Sequence, residues 1–349
     1  MTTYLLIVTI AVLLSLVLTP VAKWLSFKFN IFDQPGHRKI HAKPIPLMGG
    51  AAIYLAFILS LWFSGIETRL LLGIGAIGLF FILFGLFDDA GIKIRARYKI
   101  WSHLVASFAF ILITGISFNL FKFDPINWVL TACFITFMTN SMNMLDGMDG
   151  LVSGVSFLAA LSFFILSINS DQIPTALISL AVAGATLGFL RYNFNPASIF
   201  LGEAGSTFLG FIMAAISLNL EIFRLWNIAL LLNLPRLQFV SFIVPLIILG
   251  IPIFDTFFVF INRFLHHIKM STPGKDHSHH RIHLMGLSQR ATVIASYGVQ
   301  VILGAIALAM VNSDLQQFLS LLLIVFVMGA ATWTFLSRVE VYAKRSAVE

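Results

Sequence analysis

The sequence predicts an all-α integral membrane protein, a bundle of about eleven transmembrane helices forming one polytopic domain over residues 1–349. Three observations predict it. Hydrophobic residues make up 59% of the chain against 11% charged, and the mean hydropathy of +0.95 lies far outside the soluble globular range. Apolar runs of roughly 18 to 22 residues recur, each matching one hydrocarbon thickness. Five acidic patches stand out: Asp88-Asp89, Asp146 with Asp149, Glu203, Asp255 and Asp276 all fall where apolar segments end on one side of a membrane.

The elements follow in chain order. The first run, Tyr4 to Leu18, belongs to a span over 4–26; no basic segment precedes it and no small-residue cleavage site follows, so it reads as a retained span. A loop from Asp33 to Gly50, with Arg38, Lys39 and Lys43, leads into a second span over 47–64 and reads as a headgroup anchor or a wall of a cleft. The third span, 69–87, closes on Asp88-Asp89. A fourth covers 100–118, and the fifth, 126–144, meets the sixth, 150–168, across Asn143 to Gly150. The seventh, 173–190, precedes an eighth over 204–220, which opens on Gly202-Glu203-Ala204-Gly205-Ser206. Residues 222–237, with Trp226, Pro235 and Arg236 among leucines, are too broken for a span and read as an interfacial segment. The ninth span, 238–261, carries Asp255 about two turns inside; the tenth and eleventh cover 291–311 and 315–335.

Charge sets the orientation. With the N-terminus outside, the inner loops and the C-terminal tail hold 18 of the 22 basic residues, leaving only Arg69, Lys122, Arg224 and Arg236 outside. The positive-inside rule therefore puts the N-terminus out, the C-terminus in and every acidic patch in the cytoplasm, and it accounts for the +7 net charge without nucleic acid. The single Cys133 excludes an internal disulfide and a cysteine zinc cluster, and reads as a buried small hydrophobe.

Each acidic patch admits a functional and a plain reading. Asp88-Asp89 sits at a helix C-terminus, where the dipole disfavours negative charge. Neutralisation by Lys93, Arg95, Arg97 and Lys99 is the plain account; a carboxylate pair poised over phosphate or a divalent cation is the other. In Asn143-Met144-Leu145-Asp146-Gly147-Met148-Asp149-Gly150, two carboxylates and an amide lie between glycines that allow close backbone approach to a ligand. N-capping of the next span by Asp149 would explain one acid and leave the other. Glu203 and Ser206 stand at a helix N-terminus that holds phosphate or is merely capped. Asp255 is either a site residue facing an aqueous cleft or is bonded to a neighbouring helix. The loop Asp276-His277-Ser278-His279-His280-Arg281 suits pyrophosphate and sugar hydroxyls better than zinc, because no cysteine accompanies it; a solvated polar loop is the plain reading.

Taken together, Asp88-Asp89, Asn143 to Leu151, Gly202 to Ser206, Pro252-Ile253-Phe254-Asp255-Thr256 and His277 to Arg281 resemble the polyprenyl-phosphate N-acetylhexosamine-1-phosphate transferases, the superfamily that includes the phospho-MurNAc-pentapeptide translocases. The histidine loop is similar to the bacterial GlcNAc-1-phosphate branch. The resemblance implies that Asp88 and Asp89 are catalytic at the lipid-phosphate side, with Asp88 the base. It implies Asn143 and Glu203 as ligands of Mg2+ or Mn2+. Lys99 would contact phosphate, Asp149 uracil with Asp146 beside it, and His277, His279, His280 and Arg281 the pyrophosphate and sugar. Two departures stand out: Ala90, Gly91 and Ile92 replace a third acid that often follows the pair, and Glu203 stands where the family usually has Asp.

The implied reaction transfers an N-acetylhexosamine-1-phosphate, GlcNAc-1-phosphate first among the options, from its UDP-sugar to undecaprenyl or another polyprenyl phosphate, releasing UMP. The implied setting is the plasma membrane with a cytoplasmic cleft, and a homodimer is left open. Another UDP-amino sugar, a transporter and a non-catalytic lipid-binding protein are the alternatives. The one-sided placement of these five patches, with none stacked through the midplane as a relay, argues against the transporter.

Overall fold

The computed structural model describes residues 2–34, 44–62, 64–66, 68–92, 94–269, 274–339 and 341. Most of the basic loop after the first helix, including His37, Arg38, Lys39, His41 and Lys43, lies outside the described residues, as do Lys93, Lys344 and Arg345. The long helices are α1 (Thr2–Phe29), α2 (Gly49–Leu61), α3 (Thr68–Asp89), α4 (Ala96–Thr114), α5 (Asp124–Leu145), α6 (Leu151–Asn169), α7 (Ile173–Asn193) and α8 (Gly202–Asn219). Short helices α9 (Trp226–Leu231), α10 (Gln238–Ser241) and α11 (Ile243–Ile248) lead to α12 (Gly250–Leu265); α13 (Ser278–Leu284), α14 (Gln289–Val311) and α15 (Leu315–Ser337) complete the chain. A two-residue antiparallel ladder, β1 (Phe32–Asp33) on β2 (Ile45–Pro46), closes the loop between α1 and α2.

The protein is all-α and membrane-spanning by length and composition. Six of these helices are long and apolar enough to cross a bilayer, or up to eight if each bent pair counts as one span. Helices stand at all eleven expected positions, but two depart in shape. The helix expected over 47–64 is α2, only 13 residues and about 20 Å long, shorter than a hydrocarbon core. The ninth span is broken: Gln238–Ile248 and Gly250–Leu265 meet at 83°. Gly250 marks the break, and Pro245 and Pro252 each remove a helical N–H close to it. Cys133, expected to be buried, is exposed on α5. An apolar run in a bilayer is covered by lipid as readily as by protein, so hydrophobicity alone does not assign its faces.

α8 is the central pillar, buried along nearly its whole length and touching α2, α3, α5, α6 and α7. Small residues let its neighbours close on its N-terminal turn. A Cβ added at Gly85 of α3 would stand 2.3 Å from Ala204 Cα, and one at Gly50 of α2 would stand 2.2 Å from Gly205 N. Lipid tails are as apolar as leucine, so such close backbone packing, rather than escape from water, holds membrane helices together. The same contacts bring the ends of α2, α3, α5 and α8 to one place.

Candidate active site

That place is a cavity of about 980 Å3 at one end of the bundle. Asp88, Asp89, Asn143, Asp146, Asp149, Glu203 and His280 all line it, so residues spread over nearly 200 positions share one wall. Lys99 joins them through two ion pairs, while His277, His279 and Arg281 do not reach the wall.

Asp89 binds the start of α8. Its Oδ1 accepts the Glu203 N–H at 2.9 Å and its Oδ2 the Ala204 N–H at 3.2 Å, so a carboxylate from α3 supplies the cap that α8's own N-cap residue, Leu201, lacks. Free N–H groups and the positive end of the dipole make this a favourable seat for an anion. Gly202, at φ +75°, is required here, since a Cβ would meet Asp89 Oδ2 at 2.5 Å and Leu47 O at 2.6 Å. Glu203 is thus not the cap that the plain reading allowed.

Asp88 faces the other way. Lys99, in the first turn of α4, places Nζ 2.9 Å from Asp88 Oδ2 and 2.5 Å from Glu203 Oε2. The second Glu203 oxygen, Oε1, is buried without a hydrogen-bond partner. Asn143, one residue pair before the end of α5, accepts the Ser206 hydroxyl on Oδ1 at 2.9 Å, which fixes the amide toward α8.

The Asn143–Gly150 turn links α5 to α6. Asp146 ends α5; burial, then the nearby carboxylates of Asp89, Asp149 and Asp33, push its carboxyl up to about 8, so it is largely protonated at neutral pH. Asp149 does not cap α6. Its Oδ2 accepts from Asn195 Nδ2 and from the Ala197 N–H, both at 3.0 Å, which pins the turn to the loop after α7. Gly150, at φ +78°, is the N-cap, and its carbonyl accepts the Tyr297 hydroxyl at 2.6 Å.

The histidine loop is built from behind. Asp255, fully buried in α12, accepts the Ser278 N–H at 2.7 Å and the Ser278 hydroxyl at 2.6 Å on Oδ1, and faces His277 Nδ1 at 2.7 Å with Oδ2. It caps α13 and orients His277, the neighbouring-helix reading of Asp255. Asp276 makes a buried fork with Arg263, at 2.7 and 2.8 Å. Arg281, expected at pyrophosphate, is 2% exposed and donates from Nη1 to the carbonyls of Leu336 at 3.1 Å and Val339 at 2.7 Å. Its guanidinium also lies 5.0 Å from the Phe258 ring centroid. The structure therefore makes Arg281 a brace between α13 and the end of α15. His279 is enclosed, and its ring contacts that of His280 at 4.4 Å. Burial lowers His279 to about 3 and His280 to about 4, so both are neutral at pH 7.

A divalent cation fits the donor set here. Glu203 Oε1 is an orphaned buried carboxylate oxygen, and Asn143 Oδ1 is a second hard oxygen on the same wall. Among the described residues no three His, Cys, Asp or Glu side chains cluster to hold a metal by themselves. Mg2+ asks less than that, commonly taking one or two carboxylates and completing its shell with water and substrate phosphates.

Asp33, at the β1–β2 ladder, lines the cavity, in keeping with the cleft-wall reading of the loop it opens. Asn195 and Gln289, which the sequence did not single out, line it too, with Asn195 Nδ2 donating to Gln289 Oε1 at 3.0 Å. The Asn195-Pro196 dipeptide after an apolar run marks a turn and was readable. Gln289 carries no local signal.

Residues 71–221 match the family described as glycosyl transferase family 4. The chain is 34% identical over 329 residues to a probable undecaprenyl-phosphate N-acetylglucosaminyl 1-phosphate transferase of Bacillus subtilis (strain 168), covering 91% of this chain and 88% of the relative. It is 29% identical to a decaprenyl-phosphate N-acetylglucosaminephosphotransferase of Mycolicibacterium smegmatis, over 78% of this chain and 73% of that one. A phospho-N-acetylmuramoyl-pentapeptide-transferase of Bacillus cereus (strain AH187) is 32% identical over 61% of this chain and 72% of its own length.

Proposed function

Because the chain belongs to the glycosyl transferase family 4 enzymes that transfer sugar 1-phosphates to polyprenyl phosphates, we propose that it moves GlcNAc-1-phosphate from UDP-GlcNAc to undecaprenyl phosphate, releasing UMP. The lipid-diphosphate sugar so formed starts a cell-surface polysaccharide, made at the cytoplasmic face of the plasma membrane. One observation carries the reading: acids, an amide and a neutral imidazole from five separate segments line a single cavity of about 980 Å3, at the upper end of the range for small-molecule sites.

The chemistry sets an anionic nucleophile against an anionic diphosphate, so charge neutralisation and alignment dominate. A phosphate oxygen of the lipid attacks the sugar-side phosphorus, and the bond to the UMP oxygen breaks. Asp88 takes or holds the proton of the lipid phosphate, and the Lys99 ammonium beside it balances the incoming charge. Asp89 holds α8 in place, keeping Glu203 and Asn143 on the wall. His280, neutral, offers a hydrogen bond to the sugar or pyrophosphate without adding charge. Asp149 and its Asn195 partner stand at the nucleoside end. Asn143 and Glu203 would hold Mg2+ or Mn2+, which when bound supplies the Lewis acidity that neutralises the diphosphate. Direct displacement suits this arrangement better than a covalent aspartyl step, since Asp89 is committed to capping α8 and Asp88 to Lys99.

Radiolabelled GlcNAc-1-phosphate transfer from UDP-GlcNAc to lipid extract in purified membranes tests the reaction, with other UDP-amino sugars in parallel. Lipid-linked label that requires undecaprenyl phosphate and disappears in excess EDTA is expected. Full activity in EDTA would sink the metal assignment, and label from none of the donors would sink the function.

A further inference from the structure

Lys99 is paired with two carboxylates at the cavity, one of them a proposed metal ligand. Its ammonium bridges Asp88 Oδ2 at 2.9 Å and Glu203 Oε2 at 2.5 Å, both carboxylates of the cavity wall. All three side chains are largely enclosed, at 19, 23 and 11% exposure, so solvent screening of the bridge is weak. Meanwhile Glu203 Oε1, on the same carboxylate, is buried with no partner. A carboxylate with one oxygen on a tethered cation and the other empty is half of a site whose occupant is already present.

We propose that Lys99 is the resident counter-ion of the Asp88 and Glu203 carboxylates, and that a divalent cation binding at Glu203 displaces its ammonium toward the lipid phosphate. This rests on the metal assignment made above and deepens it. Two cations cannot share one carboxylate edge at Mg–O distances of about 2.1 Å and N–O distances near 2.5 Å without strong repulsion. Lysine suits such an exchange. Its compact charge rides on a flexible four-carbon stem, and its place in the first turn of α4 leaves that stem free of the helix interior. Glutamate at 203 suits it too: one oxygen reaches Lys99 while the other stays buried without a hydrogen-bond partner. Metal loading and nucleophile binding thereby become one event, because the charge that leaves the metal's ligands is the charge the lipid phosphate needs.

The test uses the full-length protein in detergent, without donor or lipid, and Mn2+ as the probe. Mn2+ affinity is read by electron paramagnetic resonance for wild type, Lys99→Met and Lys99→Arg. Lys99→Met is expected to bind Mn2+ roughly tenfold or more tightly, and Lys99→Arg no more tightly than wild type, because a guanidinium bridges two carboxylates at least as well. A second measurement needs no variant: with the lysine amines carrying 13C-methyl groups and the Lys99 resonance assigned, Mg2+ alone should shift that resonance. Wild-type affinity in a Lys99→Met protein of unchanged melting temperature would overturn the displacement, as would a Lys99 resonance that Mg2+ leaves in place. No Mn2+ binding by any of the three would instead overturn the metal assignment itself, and this inference with it.

Discussion

The contact between the Asp146-Gly147 turn and the histidine loop is tight enough to be tested with one methyl group. A Cβ built at Gly147 would stand 2.4 Å from His279 Nε2 and 3.2 Å from His280 Nε2. Ordinary contact needs about 3.5 Å, so Gly147→Ala creates an overlap of about 1 Å with His279. That ring cannot yield outward: it is 2% exposed and packs on His277 at 5.5 Å and on His280 at 4.4 Å. The push therefore passes to His280, the one histidine of the loop on the cavity wall. Overpacking costs about 1 to 3 kcal/mol, which, expressed in donor recognition, lowers kcat/KM by roughly 5- to 150-fold. Steady-state kinetics should show a raised KM for the nucleotide sugar with a smaller change in kcat. The same strain is stored in the folded state, so the melting temperature should fall by a few degrees, and rates are compared well below it. A Gly147→Ala enzyme with kcat/KM within about twofold of wild type would refute the coupling, as would a loss fully explained by unfolding at the assay temperature.

Glu203→Asp shortens the side chain by about 1.5 Å and should keep activity or raise it, whereas Glu203→Gln should lose most of it; tolerance of Gln in a transfer assay would rule out a ligand role. Asp88→Asn is expected to cut turnover by orders of magnitude with donor binding intact, and Asp149→Asn to weaken donor binding by loosening Asn195 and Ala197. Calorimetry with UDP-GlcNAc beside initial rates separates the two, and the opposite pattern would reverse the ends of the site. Asp146 carries a pH signature: the folded state keeps its proton up to about 8, the unfolded state only to about 3.8. Its contribution is therefore fully present below the unfolded value and is lost as pH rises across that window, levelling off above about 8. Thermal melts of wild type against Asp146→Asn should diverge with rising pH, and a pH-independent difference would contradict the shift. For topology, with Cys133 first replaced by serine, cysteines at Lys275 and Ser313 should label from the cytoplasm and the outside respectively; labelling from one side would overturn the orientation.

The membrane class and the positions of the helices were legible because apolar length is a local property of the chain. So were six of the residues on the cavity wall, Asp88, Asp89, Asn143, Asp146, Asp149 and Glu203, since acids and an amide beside apolar runs are costly enough to signal a task; His280 was legible through its histidine-rich loop. Pairing was not legible. Asp89 caps a helix that begins more than a hundred residues later, and nothing near position 89 announces Glu203 N–H as its partner. Arg281 was drawn to the pyrophosphate by its charge and its histidine neighbours, while its acceptors are the backbone carbonyls of Asp276, Leu336 and Val339, which no side-chain pattern encodes. The break at Leu249 was hidden differently: Gly250 and Pro252 are visible, yet prolines occur in straight spans whenever neighbours satisfy the freed carbonyls. Asp255 could be narrowed to two roles, and only the position of Ser278 decides between them.

α15 is the least embedded long helix, with only 6% of its apolar stretch covered by protein, yet the carbonyls of Leu336 in its last turn and of Val339 just beyond it accept the buried Arg281. The two facts impose opposite freedoms on one segment. Away from Trp333, which packs on Phe254 and Phe258, most of its sides are uncovered by the rest of the chain, so one apolar residue serves there nearly as well as another. Its length has no such freedom: one residue inserted anywhere along its 23 turns the terminus by about 100° and advances it by about 1.5 Å, carrying both acceptors away from the guanidinium. α15 works as a measured spacer, a ruler whose markings are arbitrary and whose final edge is held to an ångström.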